Sequence, residues 1–589
     1  MMTVGIVSAD GWDPARPWTF WYWMYGAVSK EGIKADLEGM SRIGLGGCYL
    51  MPIYGPDKKT EYEGNATQLS PKFWDMVDES LSIADSLGLR MGIHLCDGFA
   101  LAGGPWITPA ESMQHIVFSD TIVEGSGRVN IRLPHPTTPE NYYEDIVCYA
   151  LPLPEGTKGR LYEDAITYSP TVTRDSSGTF RSNEPCWIQY EYSHPTTIRS
   201  IVIHPSGNNI QSQRLLLSVS DDGEFFKEVT QMTPPRQGWQ DKGFAHTYAI
   251  PSTQARYFRF SWTPDGTEPG SEDLDAAKWR PNLKIKDIEL SDVPRINQWE
   301  GKAGYVWRIA PETSAEELPN ALCTPKGGIH RLTVFHDKVT TTLPTGRWLI
   351  LRIGHASNGY TNATGGGGKG LECDKFTQAT VEKQIDHWFG EFMKRPHSSV
   401  IKMLHVDSWE CGSQNWSKNF AKEFMKRRGY DLIPWLPVMA GYPINSAEDS
   451  ERVLRDVRLT INELVNECFF SVVEKRAHEY GCELSCESMA PTMVCDGIDH
   501  YRYADIPMGE YWLNSPTHDK PTDMADAISG AHIYGKQIVQ GEGFTEVRGV
   551  WNETPAMLKP LLDLNLSLGM NRLVFHVNTH NPWTDRRPV

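Results

Sequence analysis

Val400–Glu410 reads V-I-K-M-L-H-V-D-S-W-E. It opens as an apolar, β-branched run and so predicts a buried strand. It ends with Asp407, Trp409 and Glu410 close together. Ionised carboxylates are costly to bury unpaired, so acids at a strand's end make poor core. In parallel α/β barrels the C-terminal strand ends form the active face. The same grammar recurs in C-E-L-S-C-E-S (Cys482–Ser488), I-P-M-G-E-Y-W (Ile506–Trp512) and Q-I-V-Q-G-E-G-F (Gln537–Phe544). Glu487, Glu510 and Glu542 stand at or near their ends. A lone surface glutamate is ordinary solvated charge, but four closing successive apolar runs read as a site.

Upstream, W-T-F-W-Y-W-M (Trp18–Met24) predicts an aromatic strand, followed by a helix capped by Ser29 with Gly44 as a C-cap candidate. Gly46–Pro52 predicts a second strand, 71–87 a helix, and Arg90–Leu95 a third strand leading to Asp97. From about 119 the pattern changes to short alternating runs split by Pro, Gly, Asn and Asp, such as I-R-S-I-V-I-H and R-Y-F-R-F-S-W, which is all-β sequence. Within it, 161–292 resembles a discoidin-like, galactose-binding-type jelly roll. Such modules bind sugars or brace a catalytic domain. Bracing is the expectation for an insertion held at both ends.

Helical sequence returns at 418–428, 450–480 and 555–568, and Leu573–Val577 is a last strand. Excluding the insertion leaves eight strands, Trp348–Arg352 being assigned to the β region. The expected fold is α/β: a (β/α)₈ TIM-like barrel with a large inserted all-β jelly-roll or sandwich region. Its parts are 1–118 and 348–589 for the barrel and 119–347 for the insertion. Gly365–Gly368 lack the G-K-[ST] ending of a phosphate loop, so a flexible loop near the active face is expected, with Asp374 and Lys375 as contributors or as plain surface residues.

A net charge of −17 makes nucleic acid and anionic membrane poor partners. The 11 cysteines show no C-x-x-C, which points to reduced thiols. No apolar run reaches the length of a membrane span. The N-terminus, M-M-T-V-G-I-V-S-A-D-G-W-D-P, lacks the pattern of a signal peptide, so the chain reads as cytoplasmic as written, or periplasmic or secreted if a leader preceded it.

Four acids on one rim suit glycosidic cleavage, in which one carboxyl donates a proton and another activates water or attacks. Glu410 beside Trp409 fits the acid, since an apolar ring raises a carboxyl pKa. Glu542 between Gly541 and Gly543 fits the base. Glu487 and Glu510 then either hydrogen-bond sugar hydroxyls or share a hard cation, Ca²⁺ above all, with Asp407 able to join. Candidate sugar contacts are Trp23, Asp97, Asp407, Trp512 and His576, with Trp21 a further rim aromatic. His94, His405 and His580 also fall near strand ends but lack zinc-site spacing.

The run Arg16–Met40, D-S-W-E, R-R-G-Y-D-L-I-P-W-L-P, D-I-P-M-G-E-Y-W, A-H-I-Y-G-K-Q-I-V-Q-G-E-G-F-T and G-M-N-R-L-V-F-H-V together resemble glycoside hydrolase family 106, the α-L-rhamnosidases. That resemblance covers about 16–113 and 350–582. It implies a (β/α)₈ catalytic domain, inversion on terminal α-L-rhamnosides of pectin-type polysaccharides, and calcium at the sugar site. By motif it puts the acid at Glu410, the base at Glu542 and calcium at Glu510, with Glu487 alongside. Family members are usually longer, with further β domains after the barrel, and exported. Two other readings stay open: a retaining barrel glycosidase on another sugar with Glu542 as nucleophile, and a non-catalytic carbohydrate-binding protein. A calcium-dependent polysaccharide lyase is a third.

Overall fold

Eight strands pair in parallel and close on themselves. They are β1 (Trp18–Met24), β2 (Gly47–Ile53), β3 (Arg90–His94), β4 (Ile401–Val406), β5 (Glu483–Cys486), β6 (Ile506–Trp512), β7 (Gln540–Thr545) and β8 (Arg572–Thr579). Pairing of β1 with β8 completes the ring, with Trp18 opposite Val574. The computed structural model describes residues 13–586, apart from 57–59, 208–212, 239, 242, 266–281, 490–491, 514–520, 547–548 and 550–551. The reading of the opening stretch through Trp12 as no signal peptide lies outside the described residues.

Alternation along each strand sorts the aromatic residues. Trp18, Phe20, Tyr49, Met51, Met403, Ile506, Met508 and Val574 fill the barrel's interior. Trp21, Trp23, Cys48 and Leu50 face the other way, into the large cluster shared with the surrounding helices. Parallel strands covered on both faces must be apolar on both faces, as β1 is.

The helices follow from their caps and spacing. Ser29 Oγ accepts the Gly32 amide at 3.0 Å and starts α1 (Lys30–Arg42). α2 (Pro71–Leu87) has Pro at its first position and Gly88 in the left-handed conformation after its end. The expected single helix over 450–480 is instead Ala447–Leu464 and Ser471–Glu479, joined by a π-helical turn, Val465–Phe470. Residue spacing at 3.6 cannot reveal a one-residue bulge of this kind. Among the described residues no helix is long and apolar enough to cross a membrane.

Between β3 and β4 lie antiparallel sheets. Among the described residues one has nine strands, runs from Arg160–Leu161 to Leu283–Ser291, and has its own core around Phe180, Ile201, Phe258 and Ile285. Another pairs the long strands Gln114–Arg132 and Lys338–Ser357, and the leftover run Trp348–Arg352 belongs to it. Both long strands run across the expected divisions at 118/119 and 347/348, so those divisions fall inside a sheet.

The β region grips the loop that follows Glu410. Asn415 and Trp416 amides donate to Gln114 O, both at 3.2 Å, and Ile116 N donates to Asn415 Oδ1 at 2.8 Å. Asn415 Nδ2 reaches Ala303 O at 3.0 Å. A second grip is the ion pair Lys302–Glu451, 2.5 Å, with side chains 6% and 7% exposed. Glu451 also accepts from Thr313 N and Oγ1.

A buried pair broken on one side leaves an uncompensated charge, which costs about 3–5 kcal/mol. Lys302→Ala is therefore expected to destabilise the chain by about that amount in urea unfolding. A loss below about 1 kcal/mol would show that the pair contributes little.

Candidate active site

β4 delivers the first acid. Beyond Val406 the chain turns so that the Ser408 amide donates both to Asp407 Oδ1 (2.8 Å) and to Glu487 Oε2 (3.1 Å). Backbone pairing continues past the strand ends, with Glu487 N on Val406 O (2.9 Å) and Trp409 N on Ser488 O (3.0 Å). Glu487 and Asp407 are thereby held side by side. His405, below them, shares a hydrogen bond between Nδ1 and Ser485 Oγ at 2.8 Å. Burial, with His94 nearby, holds its pKa well below the usual histidine value, so the ring is neutral. Donor atoms of His405, Asp407 and Glu487 lie within 4.8 Å of one another, and all three residues are buried.

β6 and β7 deliver the next two. Glu510 and Glu542 are register partners on these parallel strands, so both side chains point to the same face. Glu542 Oε1 accepts a hydrogen bond from Thr545 Oγ1, and His576 Nε2 of β8 stands 4.0 Å from it. Glu510 Oε2 accepts from the Trp512 indole at 3.0 Å.

Tyr22 ties these acids to one place. It is half-buried and lies on the interior face of β1, edge-on to His576 at 5.7 Å. Its hydroxyl pKa is raised well above the ordinary tyrosine value, by burial first and then by the negative charges of Glu542, Asp407, Glu487 and Glu410. One phenol thus feels carboxylates from β4, β5 and β7 at once. Held neutral, it can donate a hydrogen bond among groups that only accept.

The ring of eight parallel strands thus gathers acids at its carboxyl end, and the chain is similar to known proteins over nearly its whole length. The family model described as alpha-L-rhamnosidase, of glycoside hydrolase family 106, matches residues 10–589. The chain belongs to this family. A rhamnosidase of known structure from Novosphingobium sp. PP1Y superposes with a TM-score of 0.77 at 25% identity, over 98% of this chain and 56% of that one. A protein of Formosa agariphila named "Putative beta-glucuronidase" is 27% identical over 586 residues, 98% of this chain and 38% of the relative. The chain therefore spans only part of the length of both proteins.

At this end of the ring the sequence-derived candidates fall into two groups. Glu410, Glu542, Asp407, Glu487 and His576 surround Tyr22 or its acids. Glu510 and Trp512 join through the partner strand, with Trp512 half-buried. Glu510 is grouped with Glu542, whereas Glu487 is grouped with His405 and Asp407.

Trp23 and Asp97 are corrections. Trp23 is 1% exposed and packs edge-on against Trp21 (5.3 Å) and Phe73 (6.0 Å), outside the barrel wall. It faces helix α2, and the sugar contact expected of it and of Trp21 is ruled out by the strand's phase. Asp97 is buried under the glycine loop, its Oδ2 accepting amides of Gly366 (2.7 Å) and Gly368 (2.8 Å). A Cβ on Gly366 would come within 2.6 Å of Gly55 N, so only glycine lets that loop approach. The loop expected to be flexible is pinned in this way. Asp374 and Lys375 are also buried, with Lys375 Nζ 2.7 Å from Glu372 Oε2.

Three histidine and tryptophan side chains serve structure. His580 Nδ1 pairs with Asp36 Oδ2 at 2.8 Å, and His94 Nδ1 lies 3.3 Å from Cys96 O. Trp409 sends its indole N–H to Gly412 O (2.7 Å), and its ring packs on Phe469. Sequence reasoning missed Tyr22 and His405 as members of the site. The signal was present: Phe20 and Tyr22, like Met403 and His405, are two residues apart on one strand face.

Burial pushes the Asp97 carboxyl up to about 7, against opposing hydrogen bonds from the Gly368 and Gly366 amides. A carboxyl raised in the folded state contributes stability below its unfolded pKa of about 3.9 and loses it as pH rises through the folded value. Wild type should therefore lose stability between about pH 4 and 7 from this residue. In thermal melts Asp97→Asn is expected to narrow the gap between pH 5 and pH 8. An unchanged gap would show that Asp97 is not the titrating group.

Proposed function

We propose that this chain is the catalytic part of an exo-acting, inverting glycoside hydrolase that removes terminal α-L-rhamnose from pectin-type oligosaccharides. Family membership supports the reaction class. The single observation that carries the site is that Glu410, Asp407, Glu487 and Glu542 all act on Tyr22. We read the parallel ring as a (β/α)₈ barrel and the antiparallel sheets as its inserted β region, which braces the loop after Glu410.

In this reading Glu410 donates its proton to the departing glycosidic oxygen. Glu542 takes a proton from water as that water attacks the anomeric carbon. The Thr545 hydroxyl holds one Glu542 oxygen, leaving the other for water. The half-buried Trp512 offers an indole face to the sugar ring. Tyr22 donates to a sugar hydroxyl or a carboxylate.

Proton NMR of a fresh digest of rhamnose-capped pectin oligosaccharides tests this. β-L-rhamnose appearing first, then mutarotating, is the expected result. α-L-rhamnose first would make Glu542 a nucleophile. Release of another sugar in place of rhamnose would move the substrate to a different glycoside, as the name of the Formosa relative suggests.

The same site fits a cation. Asp407 and Glu487 set two buried carboxylates side by side, a repulsive arrangement that a hard cation relieves. Their oxygens suit Ca²⁺, whereas the His405 nitrogen suits a softer metal. Bound there, Ca²⁺ would neutralise charge and orient sugar hydroxyls. Adding Ca²⁺ to chelator-treated protein is expected to raise Tm, and Asp407→Asn to abolish that rise. Equal Tm with and without Ca²⁺ would remove the cation from the account.

A further inference from the structure

A cavity of about 500 Å³ opens between helix Ala447–Leu464, loop 494–497, helix Pro521–Tyr534 and the short pairing of Arg236–Gln237 with Arg308–Ile309. None of the barrel acids lines it. Its wall is mixed. Ile309 is 51% and Leu459 39% exposed, and Trp307 is half-buried beside them. Large apolar groups left open next to cations mark a binding surface rather than a core.

The cations are unusual in a chain of net charge −17. Four arginines line the cavity, of which Arg236 already has a partner. Arg308 is spent on Asp241, at 2.6 and 3.0 Å. Arg455 and Arg458 stand three residues apart on one helix, so they share a face and repel. Among the described residues neither forms an ion pair. Glu451, the acid that acts most on Arg458, is taken by Lys302 and Thr313. Arg458 is instead fixed by donating to Lys302 O at 2.8 Å, and it lines the cavity with its position set in advance. Asp496 and Asp526 also line the cavity and offset part of the arginine charge. Asp496 is turned to backbone, accepting the Ile498 amide at 2.9 Å. What remains suits one negative charge carried on a ring, since a phosphate dianion would find too little compensation beside two aspartates.

We propose that this cavity binds a uronic acid unit of an acidic saccharide, with Arg455 and Arg458 taking its carboxylate and Trp307 the face of its pyranose ring. Trp307 also lines a smaller cavity with Gly412, Ser413 and Thr492. Gly412 follows Glu410 by two residues, and Thr492 follows Glu487 by five. The site thus adjoins the loops that carry two of the barrel acids. Its saccharide part rests on the carbohydrate-hydrolase reading, and its carboxylate part stands on the arginines alone.

Titration calorimetry of the whole chain with tri-galacturonate, and with its methyl ester, tests the proposal. The acid form is expected to bind, with the ester weaker by about tenfold or more, the scale of one lost charge-assisted hydrogen bond. Arg455→Gln and Trp307→Ala should each weaken the acid form similarly while leaving Tm and hydrolysis of an aryl α-L-rhamnoside unchanged. No binding, equal binding of acid and ester, or wild-type affinity in Arg455→Gln would overturn it. Failure of the hydrolase reading shows separately, as absent aryl rhamnoside hydrolysis in wild type.

Discussion

Mutual repulsion of carboxylates at one end of a closed barrel is the constraint on which this structure turns. Asp407, Glu487, Glu510 and Glu542 are all buried and stand on neighbouring strands or just beyond them. Such crowding is unfavourable by itself. It persists because backbone and side-chain donors are supplied from outside the set: the Ser408 amide, the Thr545 hydroxyl and the Trp512 indole. Strand closure makes the crowding unavoidable, since each strand contributes its last inward residue to one small ring. On the proposed reading, a glycoside bond placed there would meet proton donor and acceptor together.

Much of the remaining architecture keeps those positions fixed. The loop after Glu410 has no regular structure of its own, yet its Ser413, Asn415 and Trp416 are bonded to the long strand Gln114–Arg132. The glycine loop is fastened in a similar way by Asp97 from beyond β3. Catalytic geometry tolerates little slack, so loops carrying reacting groups need such support. The antiparallel sheets supply it on the Glu410 side, and the partner strands β6 to β8 supply it for Glu542.

Strand existence and order were legible because each barrel strand is an apolar run bounded by turn residues, and the last six lead into polar or acidic ends. Facing direction was harder. W-T-F-W-Y-W-M is aromatic on both faces, so period-2 reading cannot say whether Tyr22 or Trp23 points inward. Tertiary closure decides it, through Phe20 and Tyr49 inside and Phe73 outside. Asp97 was misread for a different reason: its partner Gly366 lies 269 positions away, beyond any local window. The acid motifs themselves needed no such information, because strand-end glutamates have no packing role to explain them. The sheet crossing residues 118/119 is likewise set by pairing between distant segments.

The central claim is that Glu410 gives the proton to the leaving group. Comparing Glu410→Ala with wild type on two α-L-rhamnosides tests it most directly: one with a 2,4-dinitrophenyl leaving group, one with a poor alcohol leaving group. A departing dinitrophenolate needs no proton, whereas an alkoxide does. The account predicts kcat/KM nearly retained on the first and reduced by about 10²–10⁴-fold on the second, the usual worth of general acid catalysis. Equal losses on both would contradict it and leave Glu410 as a binding or structural group.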